Sequence, residues 1–216
     1  MEILLIIPVL LFSVVVHEVA HAWQALREGD TTARDLGRLT LNPIPHLDPM
    51  GSVLVPLVLY LLPGDFLFGW ARPVPVNPRN YRNYRAGDIR VSLAGIVSNL
   101  CLVALFTLGL VVVVLLHGLP LFSGQIGASM AQIFTYGIFI NLILAYFNLI
   151  PVPPLDGSHV LYHLLPPAAG ARYRAAGRYG VTLLFLTVLV FPGALGALLS
   201  PVFVVFEWVL GLASAP

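Results

Sequence analysis

Three residues near the start of the chain, His17, Glu18 and His21, have the types and spacing for metal-assisted hydrolysis. On a helix of about 3.6 residues per turn, positions i and i+4 share one face, so the imidazoles of His17 and His21 can bind one metal ion. Glu18 lies about 100° further round and is not needed as a ligand. It suits a general base, taking a proton from a water whose pKa a bound zinc lowers to roughly 7. The H-E-x-x-H spacing recurs by chance in unrelated helices and is a weak signal alone. A charged triplet inside an otherwise uncharged apolar helix is much rarer.

The rest of the chain must place this helix. With 58% hydrophobic residues, 10% charged residues and a mean hydropathy of +0.91, there is too little polar surface for a soluble globule. The composition predicts an all-α polytopic protein of the cell membrane, a single domain over 1–216. About five transmembrane helices are expected, over 3–26, 90–117, 126–150, 178–196 and 197–213, each near the 17 to 25 residues that cross a hydrocarbon core of roughly 30 Å. Pro192, Gly193, Gly196 and Pro201 interrupt the last apolar stretch, which reads either as two spans with a tight turn or as one broken segment. The apolar run 50–63 is short for a span and carries Pro56, so a re-entrant or strand-like element is expected around 50–70.

Charge sets the orientation. All eleven basic residues are arginine, eight within 27–90 and three within 172–178, which makes both segments cytoplasmic. Helix 1 then starts outside, the second span runs outward and the third returns inward. His21 lies six residues from Arg27 and His17 ten, about 9 and 15 Å along a helix. A metal there would sit a third to a half of the way into the membrane, nearer the cytosol.

A two-histidine site needs a third protein ligand arriving from the same side at similar depth. Asp156, in the run Asn148-Leu-Ile-Pro-Val-Pro-Pro-Leu-Asp156-Gly157, follows the inward end of the third span. Its prolines prevent regular helix, so extended backbone can aim a carboxylate sideways. Zinc with Asp156 and Glu18 sums to about zero charge, which makes burial less costly. The competing reading is an Asx-turn aspartate in a Pro-Gly loop.

With these residues together, the chain resembles the site-2 protease family of intramembrane zinc metalloproteases over most of 10–165. The resemblance implies one zinc per chain on His17, His21 and Asp156, with Glu18 catalytic. Asn148 matches the asparagine that helps position the substrate carbonyl in that family. His46-Leu-Asp48-Pro-Met-Gly51, Gly69 to Pro78 and Ser92-Leu-Ala-Gly95-Ile-Val-Ser-Asn99 are weaker matches. His46 and Asp48 would either supplement the zinc site or simply form a turn. The family often has proline where Ile96 stands, and commonly a further span before the H-E-x-x-H helix. The likeness implies a compact bacterial form with no PDZ domain appended.

The activity so implied is hydrolysis of peptide bonds in or near transmembrane segments of membrane proteins, with a locally unwound substrate pairing to the 50–70 element. The alternative is a membrane metal transporter or chaperone using the same side chains. A net charge of +1 argues against nucleic acid, and the Arg79-Asn-Tyr-Arg82-Asn-Tyr-Arg85 repeat reads as an interfacial anchor against anionic lipid. His159 and His163 read as interfacial histidines, Gly95 and Asn99 as helix-contact residues, and Cys101 as packing.

Overall fold

The apolar runs fold as helices because, without water, a backbone must satisfy its own N–H and C=O groups. A computed structural model describes residues 2–54, 58 and 71–214. Its described residues form eight α-helices and no strand: α1 (Glu2–Glu28), α2 (Thr32–Asp35), α3 (Tyr84–Leu115), α4 (Gly124–Leu149), α5 (Gly157–Leu164), α6 (Pro167–Ala176), α7 (Gly180–Val190) and α8 (Pro192–Ser214). Among the described residues, four segments are long and apolar enough to cross a membrane: Leu5–Glu28, Tyr84–Leu115, Gly124–Leu149 and Gly196–Ala213. The protein is an all-α, multi-pass membrane protein.

Four of the five expected spans therefore reach spanning length. The remaining stretch, 178–196, is helical only as α7, whose 11 residues extend about 16 Å against a core of roughly 30 Å. The chain breaks at Phe191, where Pro192 cannot continue the hydrogen-bond ladder. Of the element expected around 50–70, the described part is a π-helical turn over Pro49–Leu54 and not a strand. Residues 55–57 and 59–70, and with them the proposed strand for substrate, lie outside the described residues.

Local signals end the helices where the site needs them to end. Past α1, Gly29 adopts φ +114°, and Asp30 N donates back to Ala25 O at 2.9 Å, closing the helix in a left-handed cap. Asn83 caps α3 through its side chain, which accepts from Ala86 N at 3.0 Å. Helices α3 and α4 pack along each other and against α8 around Val103, Leu110, Ile138, Leu142, Val202 and Val209. Helix α1 lies against α3 and, more lightly, α4. Leu100, Leu105, Leu108 and Val204 remain exposed, as lipid-facing side chains of a bundle should be.

Candidate active site

Helix α1 turns the face bearing His17 and His21 toward α3. There the two Nδ1 atoms are engaged: His17 Nδ1 lies 2.6 Å from Asn99 Oδ1, and His21 Nδ1 lies 2.7 Å from the Val91 carbonyl oxygen. A carbonyl only accepts, and the Asn99 amide nitrogen is donated elsewhere, so both imidazoles carry their proton on Nδ1. Their Nε2 lone pairs therefore face inward, 3.0 Å apart.

Asp156 closes the triangle. It occupies the N-cap position of α5 yet makes no capping bond, which removes the Asx-turn reading. Its Oδ2 is buried with no hydrogen-bond partner, 3.2 Å from His17 Nε2 and 3.3 Å from His21 Nε2. Three ligand atoms at these separations converge on one point, where a cation would be held by all of them. Tetrahedral zinc with bonds of about 2.0–2.1 Å separates its ligands by about 3.3 Å, close to all three edges. Two imidazoles and one carboxylate are also the donor set zinc accepts while keeping a fourth position open. Among the described residues this is the one group of three His, Cys, Asp or Glu side chains so placed.

The approach of Asp156 depends on the turn after α4. Prolines 151, 153 and 154 carry irregular backbone from α4 to α5, held by Val152 N to Ile150 O at 2.8 Å and by Tyr173 OH to Pro151 O at 2.9 Å. A Cβ on Gly157 would lie 2.2 Å from Leu149 O, so only glycine lets α5 start so close to the end of α4. Helix α5 is then pinned to α3 through Asp88, whose Oδ2 lies 2.7 Å from His163 Nε2 and 3.2 Å from His159 Nδ1. His159 and His163 thus fasten the helix that begins at Asp156, a role their sequence positions did not reveal because Asp88 is 71 and 75 residues away.

Glu18 faces a different neighbour. Its Oε2 accepts from the Val74 backbone N–H at 2.7 Å, leaving Oε1 without a hydrogen bond among the described residues. Val74 belongs to an irregular strap, residues 71–77, tied down at several points. Arg38 donates to Arg72 O at 2.9 Å, while Asp30 accepts from Asn77 N at 2.7 Å and from Asn80 Nδ2 at 2.8 Å. The strap therefore fixes the Glu18 carboxylate through one oxygen.

The other two site residues read from the sequence are not joined to the triangle by hydrogen bonds. Asn148 donates its amide to Leu144 O at 3.0 Å within α4. His46 is fully buried, with Nε2 at 2.9 Å from Thr40 O, and its carbonyl accepts from Arg72 N at 2.9 Å. Asp48 accepts from Met50 N and Gly51 N, the bonds of a turn.

Gly95 and Asn99, read as ordinary helix contacts, lie against the site itself. A Cβ on Gly95 would come within 2.5 Å of both His17 Cε1 and His21 Nε2. Asn99 donates to Asn141 Oδ1 at 2.7 Å, Asn141 donates to Ser13 Oγ at 2.8 Å, and Ser13 donates to Val9 O at 2.8 Å. These buried groups link α1, α3 and α4 in one chain that ends on the ring of His17. The signal was an asparagine in each of two apolar helices, and polar side chains at such depth rarely lack partners.

Comparison with known proteins gives the family. The model of Peptidase family M50 matches residues 118–191, a segment that contains Asp156. YwhC of Bacillus subtilis, named as a candidate zinc metalloprotease, is 43% identical over 85% of this chain and 78% of its own length. Two proteins called Rip2, named in the same way, are 31% identical in Mycolicibacterium smegmatis and 32% identical in Mycobacterium tuberculosis. Those matches cover 87% and 83% of this chain but only 66% and 63% of the relatives. No solved structure matches the chain significantly. With a 43% identical relative covered over most of both chains, and the family model falling on the segment that carries Asp156, the chain belongs to peptidase family M50, the site-2 protease family.

Proposed function

We propose that this M50 member is an intramembrane zinc metalloprotease in which His17, His21 and Asp156 hold the metal and Glu18 is the general base. The observation that carries the reading is the triangle of two Nε2 atoms and Asp156 Oδ2, with edges of 3.0, 3.2 and 3.3 Å. Bound there, zinc supplies a Lewis acid that acidifies water and polarises a peptide carbonyl. Glu18 takes the proton of the attacking water at its free oxygen and returns it to the leaving amine. The Val74 N–H holds the other oxygen, so the base does not rotate away during the transfer. Asn148, held at the inner end of α4, steadies the substrate carbonyl. The arginine distribution supports a site on the cytoplasmic side, and a site at that depth would take the transmembrane segments of other membrane proteins as substrates.

A metal transporter or chaperone needs the three ligands but has no use for a carboxylate held beside them by a backbone bond. The test is Glu18→Gln in liposomes with a transmembrane substrate. Zinc content stays at one per chain while cleavage falls by about 10²- to 10⁴-fold. Asp156→Ala loses both zinc and cleavage. Proteolysis that survives in Glu18→Gln overturns the assignment of the base, and undiminished zinc in Asp156→Ala overturns the ligand set. Asn148→Ala retains zinc and slows cleavage.

A further inference from the structure

Where α1 ends beside the start of α3, Gln24, Arg27, Glu28, Arg82, Asn83 and Arg90 line a cavity of ≈ 490 Å³. Its one carboxylate is already engaged. Glu28 is buried, and its Oε1 accepts from Gln24 Nε2 at 2.7 Å and Arg90 Nη1 at 3.3 Å. Arg27 and Arg82 have no carboxylate partner among the described residues, so the three arginines leave an excess of two positive charges over Glu28. The backbone holds them there: Arg82 N donates to Glu28 O at 2.8 Å, fixing the segment before α3 onto the end of α1.

The surroundings point to lipid. Arg27 lies 4.7 Å over the ring of Trp23, which is 51% exposed one turn deeper on α1. An exposed indole just inside a row of arginines marks the level where acyl chains meet headgroups. We propose that this cavity binds the phosphate of an anionic phospholipid headgroup. Guanidinium forks match phosphate oxygens in pairs, and an excess charge of two favours a headgroup with no cation of its own. The volume lies within the range of about 300–1,000 Å³ common for small-ligand sites. Free phosphate shares the chemistry but offers no chain to cover Trp23.

Native mass spectrometry of the detergent-solubilised full chain reads binding without any cleavage, so its outcome is separate from that of the protease reading. The chain is titrated with dioleoyl phosphatidylglycerol, dioleoyl phosphatidylcholine or inorganic phosphate. Phosphatidylglycerol binds at one per chain, ahead of the other two. The double variant Arg27→Gln/Arg82→Gln binds it about thirtyfold more weakly, at roughly one arginine's worth of headgroup attraction each. Arg172→Gln/Arg178→Gln, which removes the same charge from exposed positions outside the cavity, binds as the wild type does. An equal loss in that control means diffuse surface attraction and overturns the site. Equal binding of phosphatidylcholine overturns the anionic specificity, and inorganic phosphate binding as well as the lipid assigns the cavity to a free anion instead.

Discussion

Asn99 Oδ1 lies 2.6 Å from His17 Nδ1, and that one contact decides which nitrogen of His17 is left for a metal. Asn99 cannot rotate to present its amide nitrogen instead, because that nitrogen donates to Asn141 at 2.7 Å. The orientation of a ring on α1 is thus set by an asparagine on α4, through another on α3.

Breaking this chain weakens the metal without removing a ligand. Asn99→Ala frees the His17 ring and lowers zinc affinity by about 10- to 100-fold, the usual loss when the partner of a metal-bound histidine is removed. Asn141→Leu leaves the Asn99 amide unpaired and has a smaller effect in the same direction. Competition with a chelating dye measures both. Zinc affinity in Asn99→Ala equal to wild type shows that His17 is oriented by packing alone.

Gly95→Ala tests the close approach of α3. Its methyl would sit 2.5 Å from His21 Nε2 and from His17 Cε1, so the rings must leave their Nδ1 partners or spread the triangle. The helix itself tolerates alanine better than glycine. Circular dichroism therefore stays unchanged while zinc retained after dialysis falls by about tenfold or more.

The pinning of α5 is sensitive to pH. The hydrogen bond to Asp88 raises the pKa of His159 above its ordinary 6.5, against the opposing effect of burial. A group raised on folding contributes stability that is full below the unfolded value and is lost as pH rises through the folded one. The thermal stability of the wild type over Asp88→Asn is therefore largest near pH 6 and shrinks as pH climbs above 6.5 through the raised value. A difference that grows with pH contradicts the pairing.

Asp30 anchors the strap that holds Glu18. Its carboxylate accepts from Asn77 N, Asn80 Nδ2 and Thr32 N at 2.7, 2.8 and 3.2 Å. Asp30→Ala removes hydrogen bonds to a charged, buried carboxylate, a cost of about 1.5–3 kcal/mol. Thermal unfolding reads that loss, and cleavage falls with it because Val74 no longer fixes Glu18. Zinc content stays unchanged, since no ligand depends on the strap.

The amino-acid sequence by itself determined the medium, three of the spans and the two ends of the candidate site. Apolar length and composition dictate helices in lipid, and i, i+4 spacing places His17 and His21 on one face wherever that helix goes. The Pro-rich turn at 150–156 announced that Asp156 would not lie in regular helix. What only the tertiary structure decided are the partners that depend on how α3 packs. Asn99, Val91, Gly95 and Asp88 sit 70 to 82 residues from the histidines they touch, and meet them only because α3 packs against both α1 and α5. Asp88, Ser92, Gly95 and Asn99 mark one stripe of α3 as the buried face, but spacing along that helix does not say which residues they meet. The last span likewise turned on a break at Phe191 and Pro192, where the sequence allowed two outcomes and the fold took one.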